Sequence, residues 1–233
     1  MNGKICMIGH RGYSAKYKQN TELAFRKAAE HKSGGAETDI RVTKDGVLVC
    51  SHDSRVVFED GTSLIAEEAT FAELTAKPLK NDLTDDKVYL CTFRRYLEVM
   101  KENNMICFIE LKGSYSDEKE KKVYDMIRDT YAVEKCILQS FDFDNLVRMH
   151  RAFPDLPLMF TYGTGESGWE RCFAYGISLD ADMNVLTDEM LEAFHAHGLE
   201  VGVWTANTPE DFARCKARDL DYIESDVFGG EDL

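Results

Sequence analysis

Eight apolar runs of four to six residues, most of them separated by helix-length stretches, constrain the fold of this chain more than any other feature. They read as strands at Lys4–Gly9, Ala36–Arg41, Ile106–Leu111, Cys136–Ser140, Leu158–Tyr162, Ile177–Asp180, Glu200–Trp204 and Tyr222–Ser225. Amphipathic segments at Glu22–His31, Phe93–Glu102, Asp117–Tyr131, Phe143–Phe153, Asp188–His197 and Pro209–Ala217 read as helices. The last opens with Thr208 as N-cap and Pro209 at the first helical position, where the missing N–H would have had no intrahelical partner. Such alternation predicts parallel strands, because each helix carries the chain back to the same end of the sheet. In 233 residues, eight of them predict an α/β fold, a closed (β/α)8 TIM barrel with its chemistry at the carboxyl ends of the strands.

Two features interrupt the alternation. Lys44-Asp45-Gly46, between Asp39–Thr43 and Val47–Ser51, is a hairpin signal, since an Asp-Gly turn supplies the positive φ angles that tight hairpins need. Residues 53–90 are less regular and rich in acid, and they read as a short insertion with one helix at Thr70–Thr75. The whole chain, 1–233, is then one domain carrying that insertion.

A formal charge of −14, from 28 basic and 42 acidic side chains, repels polyanions, so neither nucleic acid nor an acidic membrane is an expected partner. An anionic small molecule would need cations placed close to it. No apolar run is long enough for stable membrane insertion, and Met1-Asn2-Gly3-Lys4 runs straight into an apolar strand, so a cytoplasmic protein without a leader is expected. The seven cysteines are scattered and without any Cys-x-x-Cys pair, as befits small buried hydrophobes in a reducing compartment.

Charged groups sit where a packed core would reject them. Glu37 and Asp39 are two apart on one strand, so both project from one face, and Glu110 and Lys112 close the next parallel strand. Burying unpaired charge costs several kcal/mol. Three carboxylates at one rim can hold a hard divalent cation, Mg2+ or Ca2+; the alternative is an ion network with Arg11, Arg41 and Lys112. Among six histidines, His31, His150, His195 and His197 fall at predicted helix C-termini, where the helix dipole accounts for them. His10 and His52 instead follow strands beside the carboxylates, and make a general acid/base pair. Arg11 offers a fork of donors for phosphate oxygens, Lys112 a second positive charge, and Trp204 a wall for the substrate.

The runs Ile8-Gly9-His10-Arg11-Gly12, Asn20-Thr21, Glu37-Thr38-Asp39-Ile40-Arg41-Val42-Thr43-Lys44-Asp45-Gly46-Val47 and Ser51-His52-Asp53 resemble the glycerophosphodiester phosphodiesterase family. Phe108-Ile109-Glu110-Leu111-Lys112, Gln139-Ser140-Phe141 and Val203-Trp204-Thr205 extend the resemblance over nearly the whole chain, in order. It implies a (β/α)8 barrel that uses a divalent metal ion to hydrolyse small-molecule glycerophosphodiesters to glycerol 3-phosphate and an alcohol. By position, Glu37, Asp39 and Glu110 would be metal ligands, His10 and His52 the acid/base pair, Arg11 the phosphate-binding group and Lys112 its support. The chain departs from the family at Lys18-Gln19, where Pro-Glu is usual, and in its short acidic insertion. Rival readings are a related barrel phosphodiesterase acting on lysophospholipid or phosphoinositide, which would need an apolar rim, and a phosphoglycerol-binding module without turnover.

Overall fold

The computed structural model describes residues 5–113 and 115–228. In chain order its elements are β1 (Cys6–Gly9), α1 (Glu22–Glu30), β2 (Gly35–Val42), β3 (Leu48–Cys50), β4 (Arg55–Val57), β5 (Ser63–Ile65), α2 (Phe71–Thr75) and α3 (Phe93–Glu102). There follow β6 (Ile106–Leu111), α4 (Asp117–Thr130), β7 (Cys136–Ser140), α5 (Phe143–Ala152), β8 (Leu158–Tyr162), β9 (Ser178–Asp182), α6 (Asp188–Ala196), β10 (Val201–Trp204), α7 (Pro209–Lys216) and β11 (Tyr222–Ser225). Strands pair in the order β1-β11-β10-β9-β8-β7-β6-β2, and β2 returns to β1, so eight parallel strands close a barrel. The expected (β/α)8 TIM barrel is the fold. Lys4, read above as the start of the first strand, lies outside the described residues.

Helix starts follow their caps. Thr21, Thr92, Ser116, Thr187 and Thr208 each accept a hydrogen bond from a backbone N–H in the first turn of the helix that follows. Between β8 and β9 the glycine-rich connection forms only a 3-10 stretch, Trp169–Tyr175, flanked by left-handed Gly168 and Gly176. The Asp45-Gly46 turn joins β2 to an antiparallel β3, as expected, with Ile40 opposite Cys50 and Val42 opposite Leu48. Residues 53–90 are more ordered than their sequence suggests. They include the expected α2, capped by Thr70, and a second hairpin, β4–β5. Val56, Phe58, Ala66, Leu74, Leu79, Val88 and Leu90 bury a small apolar cluster of their own against Val49 of β3.

The barrel interior is layered. Ile8, Phe108, Ile137, Met159 and Tyr222 plug its lower half, and the main core lies outside it, between strands and helices. Since side chains alternate along a strand, the next inward positions towards the carboxyl ends carry Glu37, Gln139, Thr161, Asp180 and Glu224, all buried. No helix among the described residues is long and apolar enough to cross a membrane.

Candidate active site

Strand β1 ends in a sharp turn that serves the site. Arg11 has φ +58° and Gly12 φ +83°, and a Cβ at Gly12 would lie 2.7 Å from the Ala24 backbone of α1. A left-handed non-glycine residue costs about 1–3 kcal/mol and persists only where its surroundings hold it. Here the Arg11 N–H donates to Glu37 Oε2 at 2.9 Å, and its Nη1 donates to Gln19 Oε1 at 3.0 Å. Position 19, where this sequence departs from the family pattern, therefore still holds the arginine, through a neutral acceptor.

The three predicted ligands come together. Asp39 and Glu110 are register partners on β2 and β6, and Glu37 lies two residues earlier on the same inward face. Ligand oxygens of Glu37, Asp39 and Glu110 all lie within 4.8 Å of one another. Arg11 Nε is 3.3 Å from Asp39 Oδ2, and Lys112 Nζ is 2.7 Å from Glu110 and 3.3 Å from Asp39. Arg41 is not part of this cluster: it pairs with Glu67 and donates to the His52 carbonyl. Asn20, left-handed at φ +57°, donates to Asp39 Oδ2 at 2.9 Å and accepts from Thr38 Oγ1.

The two cations do not satisfy this cluster. Burial first, then Asp39 and Glu224, push the Glu37 carboxyl well above its ordinary range. Burial also pushes Glu110 up to about 7, against the pull of Lys112. Among the described residues Glu37 Oε1 and Asp39 Oδ1 are buried and receive no hydrogen bond. Asp39 Oδ1 has the ion pair with Lys112 at 3.3 Å, whereas Glu37 Oε1 carries a deficit of about 1–3 kcal/mol or more. Three converging carboxylates, Glu37 with an unfilled oxygen and no thiolate among them, fit a hard divalent cation.

Both predicted histidines line the same cavity, of about 110 Å3, together with Arg11, Glu37, Glu110, Lys112 and Trp204. His52 Nδ1 is 2.8 Å from Asp53 Oδ1. Burial, which outweighs its neighbours, lowers the His52 pKa, so the ring is mostly neutral at pH 7. His10 Nδ1 is 2.7 Å from Asp226 Oδ1. Burial raises the Asp226 carboxyl, but hydrogen bonds from His10, Ser14 and Asn207 outweigh it and hold the group at about 2. An ionised carboxylate can only accept, so Nδ1 of His10 carries the hydrogen and Nε2 is left for the cavity. The other four histidines end helices as expected, His31 and His197 as C-caps, His150 and His195 in the last turns.

The sequence matches the glycerophosphoryl diester phosphodiesterase family over residues 10–229. The chain belongs to this family. A glycerophosphodiester phosphodiesterase from Caldanaerobacter subterraneus subsp. tengcongensis is 27% identical over 96% of this chain and 94% of its own length. The crystal structure of a glycerophosphodiester phosphodiesterase from Thermotoga maritima is 30% identical, with TM-score 0.78, covering 96% of this chain and 95% of that one. A phosphodiesterase from Oleispira antarctica, solved with the product sn-glycerol-3-phosphate, shares the fold with TM-score 0.81 at 19% identity, covering 95% and 92%. The chain is thus a phosphoric diester hydrolase acting on glycerophosphodiesters, and the reading as a binding module without turnover is set aside.

Several residues of this phosphodiesterase site were not found by sequence reasoning. Asp226, Asn207 and Ser14 anchor His10, and Asn20 anchors Asp39, through contacts that no local pattern announces. Asp180 and Glu224 were legible, because each is an acid in an apolar strand, the same signal that singled out Glu37. Glu224 Oε1 accepts from Gln139 Nε2 at 3.1 Å, and ligand atoms of His10, Glu37 and Glu224 also lie within 4.8 Å of one another. Outside the barrel, a groove of about 520 Å3 runs between α1 and residues 87–92. Its Arg26 and Arg95 are already engaged by Glu22 and Glu102, and it has no part in the site.

Proposed function

We propose that this phosphodiesterase hydrolyses its substrate to sn-glycerol 3-phosphate and an alcohol with a divalent cation, Mg2+ or Ca2+, held by Glu37, Asp39 and Glu110. Held there, such an ion supplies positive charge to the phosphoryl oxygens. Arg11 and Lys112 bind the same oxygens, Arg11 through its planar fork and Lys112 as a point charge. His10 and His52 form the acid/base pair: one ring takes a proton from the attacking oxygen, of water or of the neighbouring glycerol hydroxyl, while the other protonates the departing alkoxide. On the second route water then opens the cyclic phosphate to glycerol 3-phosphate. Asp226 and Asp53 fix their tautomers so that each Nε2 is the working atom. Trp204, edge-on to Phe141 at 5.8 Å, walls the mouth on the substrate side. One catalytic unit spans 1–233, with 53–90 as an insertion in it, and it works in the cytoplasm, consistent with seven free cysteines.

The observation that carries this reading is that both imidazoles and all three carboxylates line or border one cavity although they are up to 100 residues apart in sequence. A coupled assay for glycerol 3-phosphate, run on glycerophosphocholine, glycerophosphoethanolamine and glycerophosphoglycerol with and without chelator, tests it. Release that stops in chelator and returns with Mg2+ or Ca2+ is expected. Release indifferent to chelator would remove the cation from the reaction.

A further inference from the structure

Four cavity residues, Gln139, Thr161, Asp180 and Glu224, have no part in the reaction as set out above. Each is at most 4% exposed, and with Glu37 they form the layer beneath His10, His52 and Trp204. A barrel interior is ordinarily filled with branched apolar side chains, so four polar ones, two of them acids, are a departure that needs a cause. Thr161 Oγ1 and Asp180 Oδ1 are buried without a hydrogen-bond partner among the described residues. Each costs about 1–3 kcal/mol until a ligand supplies one. The two residues are register partners on β8 and β9, so their unsatisfied atoms lie side by side on one interior face. Gly202 of β10 makes room for them, since a Cβ there would stand 2.9 Å from Asp180 Oδ1.

The chemistry of the layer limits what can fill it. Gln139 Nε2 is already committed to Glu224, which leaves carboxyl, amide and hydroxyl oxygens facing the cavity. Such a surface is rich in acceptors, which suit hydroxyl donors and not phosphate oxygens; in the reaction proposed above the latter would be met by Arg11 and Lys112. We propose that Thr161, Asp180 and Glu224 form the subsite for the hydroxyls of the glycerol half of the substrate, a polyol-recognising floor that sets which side of the phosphate enters the barrel first. This rests on the reaction proposed above and names how its substrate is oriented.

Calorimetric titration of the magnesium-loaded enzyme with sn-glycerol 3-phosphate, propyl phosphate and phosphoethanolamine tests the floor. The wild type is expected to bind sn-glycerol 3-phosphate at least about tenfold more tightly than propyl phosphate, one to two lost hydrogen bonds' worth of affinity. That ratio is expected to fall below about threefold in Thr161→Val and Asp180→Asn, as one bond is removed in each. Thr161→Val preserves shape, and circular dichroism confirms that each variant is folded. Equal affinities in the wild type, or an unchanged ratio in the folded variants, would overturn the proposal. So would a preference for phosphoethanolamine that Asp180→Asn abolishes, which gives the floor to an ammonium group. Two ions bound per chain, one of them lost in Glu224→Gln, would overturn it by giving the layer to a second cation with His10 and Glu37. Hydrolysis of glycerophosphocholine by the wild type reports separately on the reaction itself.

Discussion

In the reaction proposed above His10 and His52 carry equal weight, but they stand on different supports, Asp226 and Asp53. Replacing either by alanine is expected to lower kcat by about 10²-fold or more while the folded state persists, checked by steady-state kinetics beside thermal melts. Asp226→Asn keeps the shape of the His10 contact and removes its charge; a fall in kcat of about tenfold, with KM little changed, marks a residue acting through His10. The same variant has a signature in stability. The folded-state pKa of Asp226 is held at about 2, below its ordinary 3.8, so its contribution is present above that ordinary value and lost as pH falls through about 2. The gap in urea midpoint between wild type and Asp226→Asn is therefore expected to narrow from pH 4 towards pH 2. A gap that stays constant over that range would show that the charge of Asp226 contributes nothing. Glu37, Asp39 and Glu110 were legible in the sequence because charge in an apolar run has few structural explanations. Asp226 was not, because its partner lies 216 positions away and only barrel closure brings β11 beside β1.

Strands and helices were read nearly to their ends, because apolar periodicity and threonine caps are local signals. Six predicted helices match α1, α3, α4, α5, α6 and α7 with the same first residue and a last residue at most one position away, as fraying predicts. The insertion was read less well. Asp60-Gly61, with Gly61 at φ +80°, joins β4 to β5 by the turn chemistry that revealed the β2–β3 hairpin, but strands of three residues are too short to show alternation. Its apolar cluster is what packs this element against β3. Leu74, fully buried there, is expected to cost about 2–5 kcal/mol when truncated to alanine, measured by denaturant unfolding. A loss under about 1 kcal/mol would mean that the insertion is not coupled to the folding of the barrel.

For the molecule as a whole, the barrel mouth concentrates charge that the rest of the fold cannot neutralise. Glu37, Glu110, Asp180 and Glu224 line one cavity and Asp39 borders it, with Arg11 and Lys112 as the fixed cations in its lining. A net formal charge of −14 makes the surroundings no more forgiving. Closure of eight strands is what turns separate acids into a site, and it also demands a counter-charge there. The direct measurement is titration of Mg2+ and Ca2+ into metal-stripped protein, alongside glycerol 3-phosphate release in the same samples, for wild type, Glu37→Gln, Asp39→Asn and Glu110→Gln. Ion binding and turnover falling together in all three variants is the predicted result. Undiminished turnover by the metal-stripped wild type, or by a variant that no longer binds the ion, would contradict it.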